Sequence, residues 1–537
     1  MVNKALFRDG TDSRTGERQT IGCDTALASG RGRAKPDGPM DFSALRRLLP
    51  SRLMIGGAVL CGAMLAGCSS EESGPVSVSV IGRPGDFTRP LQRLPDPGAK
   101  LILEATAQGL VAFDASGDIL PALAQRWIVE DEGRSYIFRL RRATWPDGRK
   151  VTAATVAQLL MARIEMLRRL DPDGPLDAVQ AVVPMTGEVI EIRLAAPRPY
   201  VLQMLAQPQM AILSREGGTG PYRSEPWGKA LLLKPLDGPG DPDDGEEPPA
   251  PAWQTRILRA ERSALAVIRF REGKAALVLG GRFSDLPLLV PAGIDRDAVR
   301  IDPTLGLLGL AVTGTGPLLD DDGVRRAINM AIDRSQLPAL FPLGGWAITD
   351  QIVPAQLDLY RPPTRPDWAA LGMDDRRAQG HAVIDRWRQA HGDPPLLRVA
   401  LPQGPGATAL FGLVRHDLGL IGLRVERVPM EQDADLRLVD EVAAYDSALW
   451  YLGRIGCARK VHCSPQAEAQ LRAASLAGDF PDRLARVAQA EALMQAHNGY
   501  IALGAPVRWS LVTRRLTGFM PSARARHPLN HLFRATN

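Results

Sequence analysis

Aromatic residues, histidines and catalytic motifs are all scarce in this chain of 537 residues. Aromatic side chains make up 5% of the sequence, and all seven histidines lie after residue 380. The sequence contains none of the motifs GxSxG, HExxH and GxxxxGK[ST], which are typical of serine hydrolases, zinc proteases and phosphate-binding loops. We therefore predict that the chain is not an enzyme and that it uses no cofactor.

Residues 53–65 form an uncharged apolar run of 13 residues, whereas a helix needs about 20 to cross a bilayer. Three arginines precede this run, and Leu65-Ala66-Gly67-Cys68 ends it. The pattern predicts a signal peptide over residues 40–67, and its end resembles the lipobox of bacterial lipoproteins. We expect Cys68 to be lipidated as the first mature residue. The protein would then be exported and lipid-anchored at the periplasmic face of the cell envelope.

The segment before the signal peptide has a different character. Residues 1–39 are polar, rich in glycine, arginine and aspartate, and without hydrophobic periodicity, so we expect a disordered or non-native extension with Met40 as the true start. Residues 1–67 contribute +4 to the net charge of +5, which leaves +1 for the mature chain. Residues 68–75 are interpreted as a linker. This charge balance, without basic runs beside aromatics, predicts no nucleic-acid partner.

Cys457 and Cys463 are the two cysteines that remain beyond the leader and the lipidation site. In an oxidising compartment such a pair predicts a short-loop disulfide. His462 lies beside Cys463, so a metal site is the alternative. Two thiols and one imidazole without a second pair favour the disulfide.

Two further groups of residues have a metal-like spacing. Asp320-Asp321-Asp322-Gly323 is similar to the start of a calcium loop, but Ala331 stands where the loop would need glutamate. We expect a helix N-terminus there, where acidic residues are favoured. His527 and His531 are four residues apart, but a proline separates them, so we expect surface histidines. No metal site is predicted.

The mature chain is predicted to be α/β and to contain more than one packing unit, because 470 residues remain after removal of residues 1–67. Residues 396–401 are typical of a strand, and apolar residues between 410 and 421 recur on one helical face. Gly422 offers a helix end, and residues 423–428 return as a second strand. This order predicts a βαβ unit.

Short motifs follow one another along nearly all of the mature chain. They are Gln108-Gly109-Leu110-Val111, Asp118, Pro121-Ala122-Leu123-Ala124, Trp127, residues 136–140, Trp145, Asp147-Gly148, Val151-Thr152-Ala153, residues 218–222, 324–329, 331–334 and 514–519. Their shared order resembles the family 5 extracellular solute-binding proteins, the peptide- and nickel-binding components of ABC importers.

The resemblance implies an α/β, two-lobed, periplasmic-binding-protein-like fold of the class II type with a discontinuous first lobe. Residues 76–302 and 504–537 would form lobe 1, and residues 303–503 would form lobe 2. A monomer would capture a small peptide, or a peptide-like or other organic solute, between the lobes. It would deliver this ligand to an ABC permease with separate ATPase subunits. Two alternatives stay open: an exported lipoprotein acting as scaffold or sensor, and a metal-chelate or haem-binding relative.

The resemblance also bears on the charge of the ligand. Peptide-binding relatives carry an aspartate for the ligand's α-ammonium shortly after the strand that Tyr445 and Trp450 match. Residues 447–467 contain no acid here, and Arg454 and Arg459 lie in this segment instead. We expect a ligand that is anionic or lacks a free amino terminus, unless these cations face solvent. The candidate ligand-binding residues are Gln108, Thr219, Tyr222, Trp346, Trp450, Arg454 and Arg459.

The lipobox generates the first testable prediction. Replacing Cys68 with serine is expected to release the protein from membranes into the soluble fraction, because one residue would carry all the lipid. Fractionation after a salt wash measures this. Cys68→Ser protein that still pellets with membranes would contradict the lipobox interpretation.

Overall fold

The structure is a computed structural model that describes residues 74–87, 90, 96–170, 175–198, 200–236, 252–341, 343–357 and 359–534. All of these belong to one unit of the chain, Ser70–Asn537. The predicted extension, signal peptide and lipidated Cys68 lie outside the described residues. Within those ranges, no helix combines the length and the apolar character that a membrane span requires.

The secondary structure alternates between strands and helices, as the sequence predicts. The strands are β1 (Val76–Ile81), β2 (Val111–Phe113), β3 (Ile119–Pro121), β4 (Ala124–Glu130), β5 (Ser135–Leu140), β6 (Val179–Pro184), β7 (Val189–Leu194), β8 (Tyr222–Trp227), β9 (Ala230–Pro235), β10 (Arg256–Glu261), β11 (Leu277–Arg282), β12 (Val299–Ile301), β13 (Gly306–Val312), β14 (Leu397–Ala400), β15 (Val425–Val428), β16 (Leu436–Val442), β17 (Tyr500–Gly504), β18 (Arg508–Val512), β19 (Leu516–Thr517) and β20 (Phe533–Arg534). The α-helices are α1 (Pro97–Thr106), α2 (Ala153–Leu170), α3 (Val201–Leu205), α4 (Ser263–Arg271), α5 (Pro317–Asp320), α6 (Asp322–Ala331), α7 (Leu337–Leu340), α8 (Met373–His391), α9 (Pro405–Leu420), α10 (Ala448–Arg454), α11 (Pro465–Leu476) and α12 (Phe480–His497).

A seven-stranded sheet with the order β12-β18-β11-β1-β10-β9-β8 organises the first lobe. β1 lies at its centre and pairs in parallel with both β10 and β11. Val76, Val78 and Val80 of this strand are buried, and α1 packs against it through Leu101 and Ile102. The strand alternates valine and serine, and the serine on its other face is also buried: Ser79 is 0% exposed and donates to Glu261 Oε1 at 3.4 Å.

A second packing unit lies within the predicted first lobe. The antiparallel strands β4-β5-β7-β6 form a four-stranded sheet, and α2 covers it. Thr152 caps this helix, since its Oγ1 accepts a hydrogen bond from the Thr155 backbone N–H at 3.3 Å. Phe138, Ile190 and Val156 are fully buried in its core. The resemblance implies a first lobe of residues 76–302 and 504–537, and within that range these hairpins enclose a hydrophobic core of their own.

The second lobe contains a five-stranded sheet with the order β15-β14-β16-β13-β17. β14 and β15 are parallel and are joined by α9, which confirms the predicted βαβ unit. Gly422, after the end of α9, has a φ of +85°, a left-handed conformation that favours glycine. Asp321 caps α6 by accepting hydrogen bonds from the N–H groups of Gly323 and Val324, so the acidic run is a helix N-terminus.

The chain passes twice between the two sheets. The first crossing joins β12 to β13, and the second joins β17 to β18. β18 returns to the first sheet and pairs antiparallel with β11 and β12. The first lobe is therefore discontinuous in sequence, as the resemblance implies.

Cys457 and Cys463 are joined in the structure, with Cα atoms 5.2 Å apart. Nε2 of the neighbouring His462 forms a hydrogen bond with the Gly314 carbonyl oxygen. This contact does not support a metal site made of His462 and the two cysteines. Within the described ranges, no group of three or more His, Cys, Asp or Glu residues is arranged to hold a metal ion.

Removal of this disulfide generates a stability prediction. The double variant Cys457→Ser/Cys463→Ser is expected to lose about 2 kcal/mol of unfolding free energy, because a short closed loop no longer restricts the unfolded chain. Its melting temperature should fall by a few degrees. Calorimetry with and without reductant tests this, and the double variant itself should not respond to reductant. Two free thiols in protein made in an oxidising compartment would contradict the pairing.

Candidate functional site

A cavity of about 900 Å3 lies between the two large sheets. On the first lobe, β11 ends at the cavity with Arg282. On the second lobe, β16 ends there and continues into Tyr445. Each of these strands has a parallel neighbour, and ligands of open α/β sheets bind beyond the carboxyl ends of such strands. The position and size of the cavity therefore fit a ligand-binding cleft.

Charged residues concentrate on the wall that the first lobe contributes. Lys100 and Glu104 lie one turn apart on α1, and Arg526 of the C-terminal segment forms an ion pair with Glu104. Arg526 also donates to the Ala206 carbonyl at 3.0 Å. The C-terminal segment therefore fixes one side of the cleft.

Lys100 differs from its charged neighbours. It is exposed and lines the cavity, and within the described part of the chain its ammonium group has no hydrogen bond and no ion pair. Protein atoms nevertheless crowd its ammonium group. This desolvation, reinforced by the positive charges of Arg526 and Arg282, lowers the pKa of Lys100 to about 8.

An ion pair between the lobes lies next to this lysine. Arg508 of β18 donates to the Asp440 carboxylate at 2.7 Å and to the Asp440 backbone carbonyl at 3.0 Å. Arg282 lies farther away, with 3.9 Å between its Nη1 and Asp440 Oδ2. Burial and the neighbouring Arg508 lower the pKa of Arg282, and Asp440 offsets this only in part.

A second set of contacts between the lobes closes one edge of the cleft. Gln203 of α3 accepts a hydrogen bond from the Asp446 N–H at 2.9 Å and donates to its carboxylate at 3.3 Å. Arg524 pairs with the same carboxylate. The rings of Tyr200 and Tyr445 stack across this edge with centroids 5.8 Å apart. We call Gln203, Asp446, Arg524, Tyr200 and Tyr445 the latch.

The remaining wall of the cavity includes apolar side chains. The second packing unit of the first lobe contributes Leu167 and Met204, and the second lobe contributes Leu449, Trp450 and Leu471. The cleft thus combines a charged region near Lys100 with a mixed region near Trp450, where apolar side chains lie beside Arg454 and Arg459.

Three of the candidate ligand-binding residues lie on the cavity wall: Trp450, Arg454 and Arg459. The structure assigns Arg454 an intramolecular partner, because its Nε lies 2.7 Å from Glu441 on β16. The sequence-based expectation considered acids only after Asp446 and missed this one. Arg454 is therefore already neutralised within the protein.

The other four candidates, Gln108, Thr219, Tyr222 and Trp346, do not line this cavity. Thr219 donates to Gln108 Oε1 at 3.4 Å, which joins two loops of the first lobe. Tyr222 is 3% exposed and donates to the Leu529 carbonyl at 3.2 Å. Trp346 stacks on a buried phenylalanine with centroids 4.6 Å apart. These residues support the scaffold instead.

The structure also corrects the prediction that His527 lies on the surface. This histidine is buried, and its Nε2 lies 3.1 Å from the Asp302 carboxylate. Sequence reasoning also missed Lys100, Arg282, Arg508 and Arg524 as cavity residues. The carboxyl end of a parallel strand is the signal that could have indicated Arg282.

Comparison with known proteins identifies the family. Residues 118–450 match "Bacterial extracellular solute-binding proteins, family 5 Middle". The chain belongs to this family. Its members are binding proteins and not enzymes, in agreement with the sequence-based prediction.

Individual relatives of this family 5 chain are distant. It is 24% identical over 330 residues to the probable deoxycholate-binding periplasmic protein YgiS of Escherichia coli K12, covering 55% of this chain and 59% of the relative. It is 23% identical to the di/tripeptide-binding protein 2 of Pseudomonas aeruginosa, and the match covers 77% of this chain and 86% of the relative. The structure of the Escherichia coli murein tripeptide binding protein MppA superposes with a TM-score of 0.70 at 16% identity. The superposition covers 87% of this chain and 99% of MppA. This superposition confirms the two-lobed fold.

The latch generates a prediction for this family 5 protein. Asp446→Ala removes the acceptor of Arg524 and Gln203, so the closed form should lose about 1–3 kcal/mol relative to an open one. Small-angle scattering without added ligand should show a larger radius of gyration. Asp482→Ala is the control, because that aspartate pairs only within its own helix with Arg486. An unchanged radius in Asp446→Ala would contradict a closing role for the latch.

Proposed function

We propose that this protein is the substrate-binding component of an ABC importer. The observation that carries the proposal is the cavity of about 900 Å3 with walls from both lobes of a family 5 fold. Such a site binds a small molecule by surrounding it, and no catalytic group is needed for that function.

Closure around the ligand would proceed by bending of the two crossings, residues 302–305 and 505–507. The latch and the pair of Arg508 with Asp440 join residues of the two lobes, and we expect the latch contacts to break when the lobes open. A ligand that contacts both walls binds the closed form better and so shifts the equilibrium toward it. The lobe boundaries of the sequence analysis are part of this proposal.

A peptide, a peptide-like compound or another organic solute is the proposed ligand. The names of relatives support this range, since one is a di/tripeptide-binding protein and another a probable deoxycholate-binding protein. Trp450 and Arg459 are the candidate contacts on the second lobe. Both solutes are compatible in size with the cavity.

The remaining parts of the proposal concern location and partners. Lipidation of Cys68 would hold a monomer at the periplasmic face of the envelope, where a permease with separate ATPase subunits would receive the ligand. The relatives named as periplasmic proteins support an exported location. A scaffold or sensor of the same fold would need no permease.

Ligand capture can be tested directly. Protein isolated from a periplasm is expected to carry a bound organic solute that native mass spectrometry detects and that denaturation releases. Its removal should increase the radius of gyration, and its return should reverse the change. Protein that binds no solute from periplasmic extract and keeps one radius throughout would contradict the proposal and favour the scaffold.

A further inference from the structure

The carboxylates that line the cavity already have partners within the protein. Those that the structure describes on its wall are Asp96 with the Ala99 N–H at 2.9 Å, Glu104 with Arg526, Asp177 with Arg198 at 3.6 Å, Asp302 with His527 at 3.1 Å, Asp440 with Arg508 at 2.7 Å, Glu441 with Arg454, and Glu468 with the Cys457 N–H at 2.7 Å. An ammonium group entering the cleft would have to compete with these partners. Five of these carboxylates are paired with a basic side chain, whereas Glu468 is held by a neutral backbone N–H, so the cavity offers a free amino terminus few carboxylates that are not already paired.

Two cations on the first-lobe wall lack a close partner of this kind. Lys100 has no ion pair within the described ranges, and Arg282 reaches only to 3.9 Å from Asp440, whose carboxylate Arg508 already engages. The side chain of Arg282 is 44% exposed. Nearby carboxylates offset these charges only in part: Asp440, Asp285 and Asp96 act on Arg282, and Glu104 acts on Lys100.

Lys100 and Arg282 lie at the same corner of the cavity. The end of β11 approaches the start of α1 so closely that a β-carbon on Gly280 would lie 3.6 Å from Pro97 Cβ. Arg282 follows this contact by two residues, and Lys100 lies one helical turn beyond Pro97. Their charges repel each other and lower the pKa of Lys100, and an anion between them would relieve this repulsion.

Apolar side chains form part of the remaining cavity wall, beside charged ones such as Glu468 and Arg472, and an apolar group of the ligand would lie against them. Leu167, Leu176 and Met204 line it from the first lobe, and Leu449, Trp450 and Leu471 line it from the second. These side chains have no polar atom to offer except the Trp450 indole N–H. Burying a charge against them would be costly, whereas burying hydrocarbon is favourable.

We infer that the ligand is an amphipathic organic anion without an ammonium group, with its carboxylate between Lys100 and Arg282 and its apolar body against Trp450 and the neighbouring leucines. This inference rests on the proposed function and specifies its ligand. It also moves the expected anion contact from Arg454, which Glu441 neutralises, to the opposite wall of the cleft.

Calorimetric titration of the full chain carrying Cys68→Ser tests the inference without detergent. The first probe is N-decanoylglycine, which joins a carboxylate to an alkyl chain, and the second is its neutral carboxamide. We expect the acid to bind at least about tenfold more tightly, because only the acid forms charge-assisted hydrogen bonds. Equal affinities of acid and carboxamide would overturn the inference, and this comparison needs no substitution.

Variants locate the anion contact. Lys100→Met and Arg282→Met are each expected to weaken binding of the acid about tenfold and to leave the carboxamide unchanged. Lys100→Arg should retain most of the affinity. Lys229→Met is the matched control, since that exposed lysine lies in the turn between β8 and β9. Loss of affinity for acid and carboxamide alike would overturn the assignment of these two residues.

Trialanine and N-acetyl-trialanine address the amino terminus. Acetylation is expected to strengthen binding, since it removes an ammonium group that would meet mostly carboxylates already paired within the described part of the cleft. Tighter binding of free trialanine would overturn the inference while leaving the proposed function intact, because a peptide would then be captured. Binding of no probe also overturns it. The copurification experiment separately decides whether the proposed function falls with it.

Discussion

The ion pair between Arg508 and Asp440 is the interaction on which the geometry of the cleft depends. It joins β18 of the first sheet to β16 of the second, and its side chains are only 11% and 8% exposed. Removing two charges from water is costly, and here the cost is offset by a short contact and a second hydrogen bond to the Asp440 carbonyl. Loss of Asp440 would leave the largely buried Arg508 without its acceptor, and loss of Arg508 would leave Asp440 only the more distant Arg282.

This pairing also determines which charges remain for a ligand. Arg508 donates to Asp440 Oδ1 at 2.7 Å, whereas Arg282 lies 3.9 Å from Asp440 Oδ2, beyond hydrogen-bond distance. Arg526 likewise occupies Glu104, the acid one turn from Lys100. Lys100 and Arg282, at the same corner of the cavity, therefore remain available to bind an anionic ligand. The latch lies at another edge of the cleft. Its carboxylate belongs to Asp446, the first acidic residue after β16.

Local features of the fold could be predicted from the sequence. The βαβ unit around α9, the cap at Thr152 and the cap at Asp321 each depend on residues close together in the chain. Periodicity and capping act over one or two turns, so a single sequence contains the necessary information. The order of the family motifs extended this reasoning to the two-lobed arrangement.

The charge pattern of the cleft could not be predicted in the same way. Arg508 and Asp440 are 68 residues apart, and Arg526 and Glu104 are 422 residues apart. Which cation meets which acid depends on where sheets and segments pack, and no local pattern encodes that. The sequence by itself determined the export signature and the cysteine pair as expectations, and the family resemblance implied the two lobes. Only the tertiary structure decided that Arg454 is neutralised, that His527 is buried and that Lys100 faces the cavity, because electrostatic pairing depends on distance in space and not along the chain.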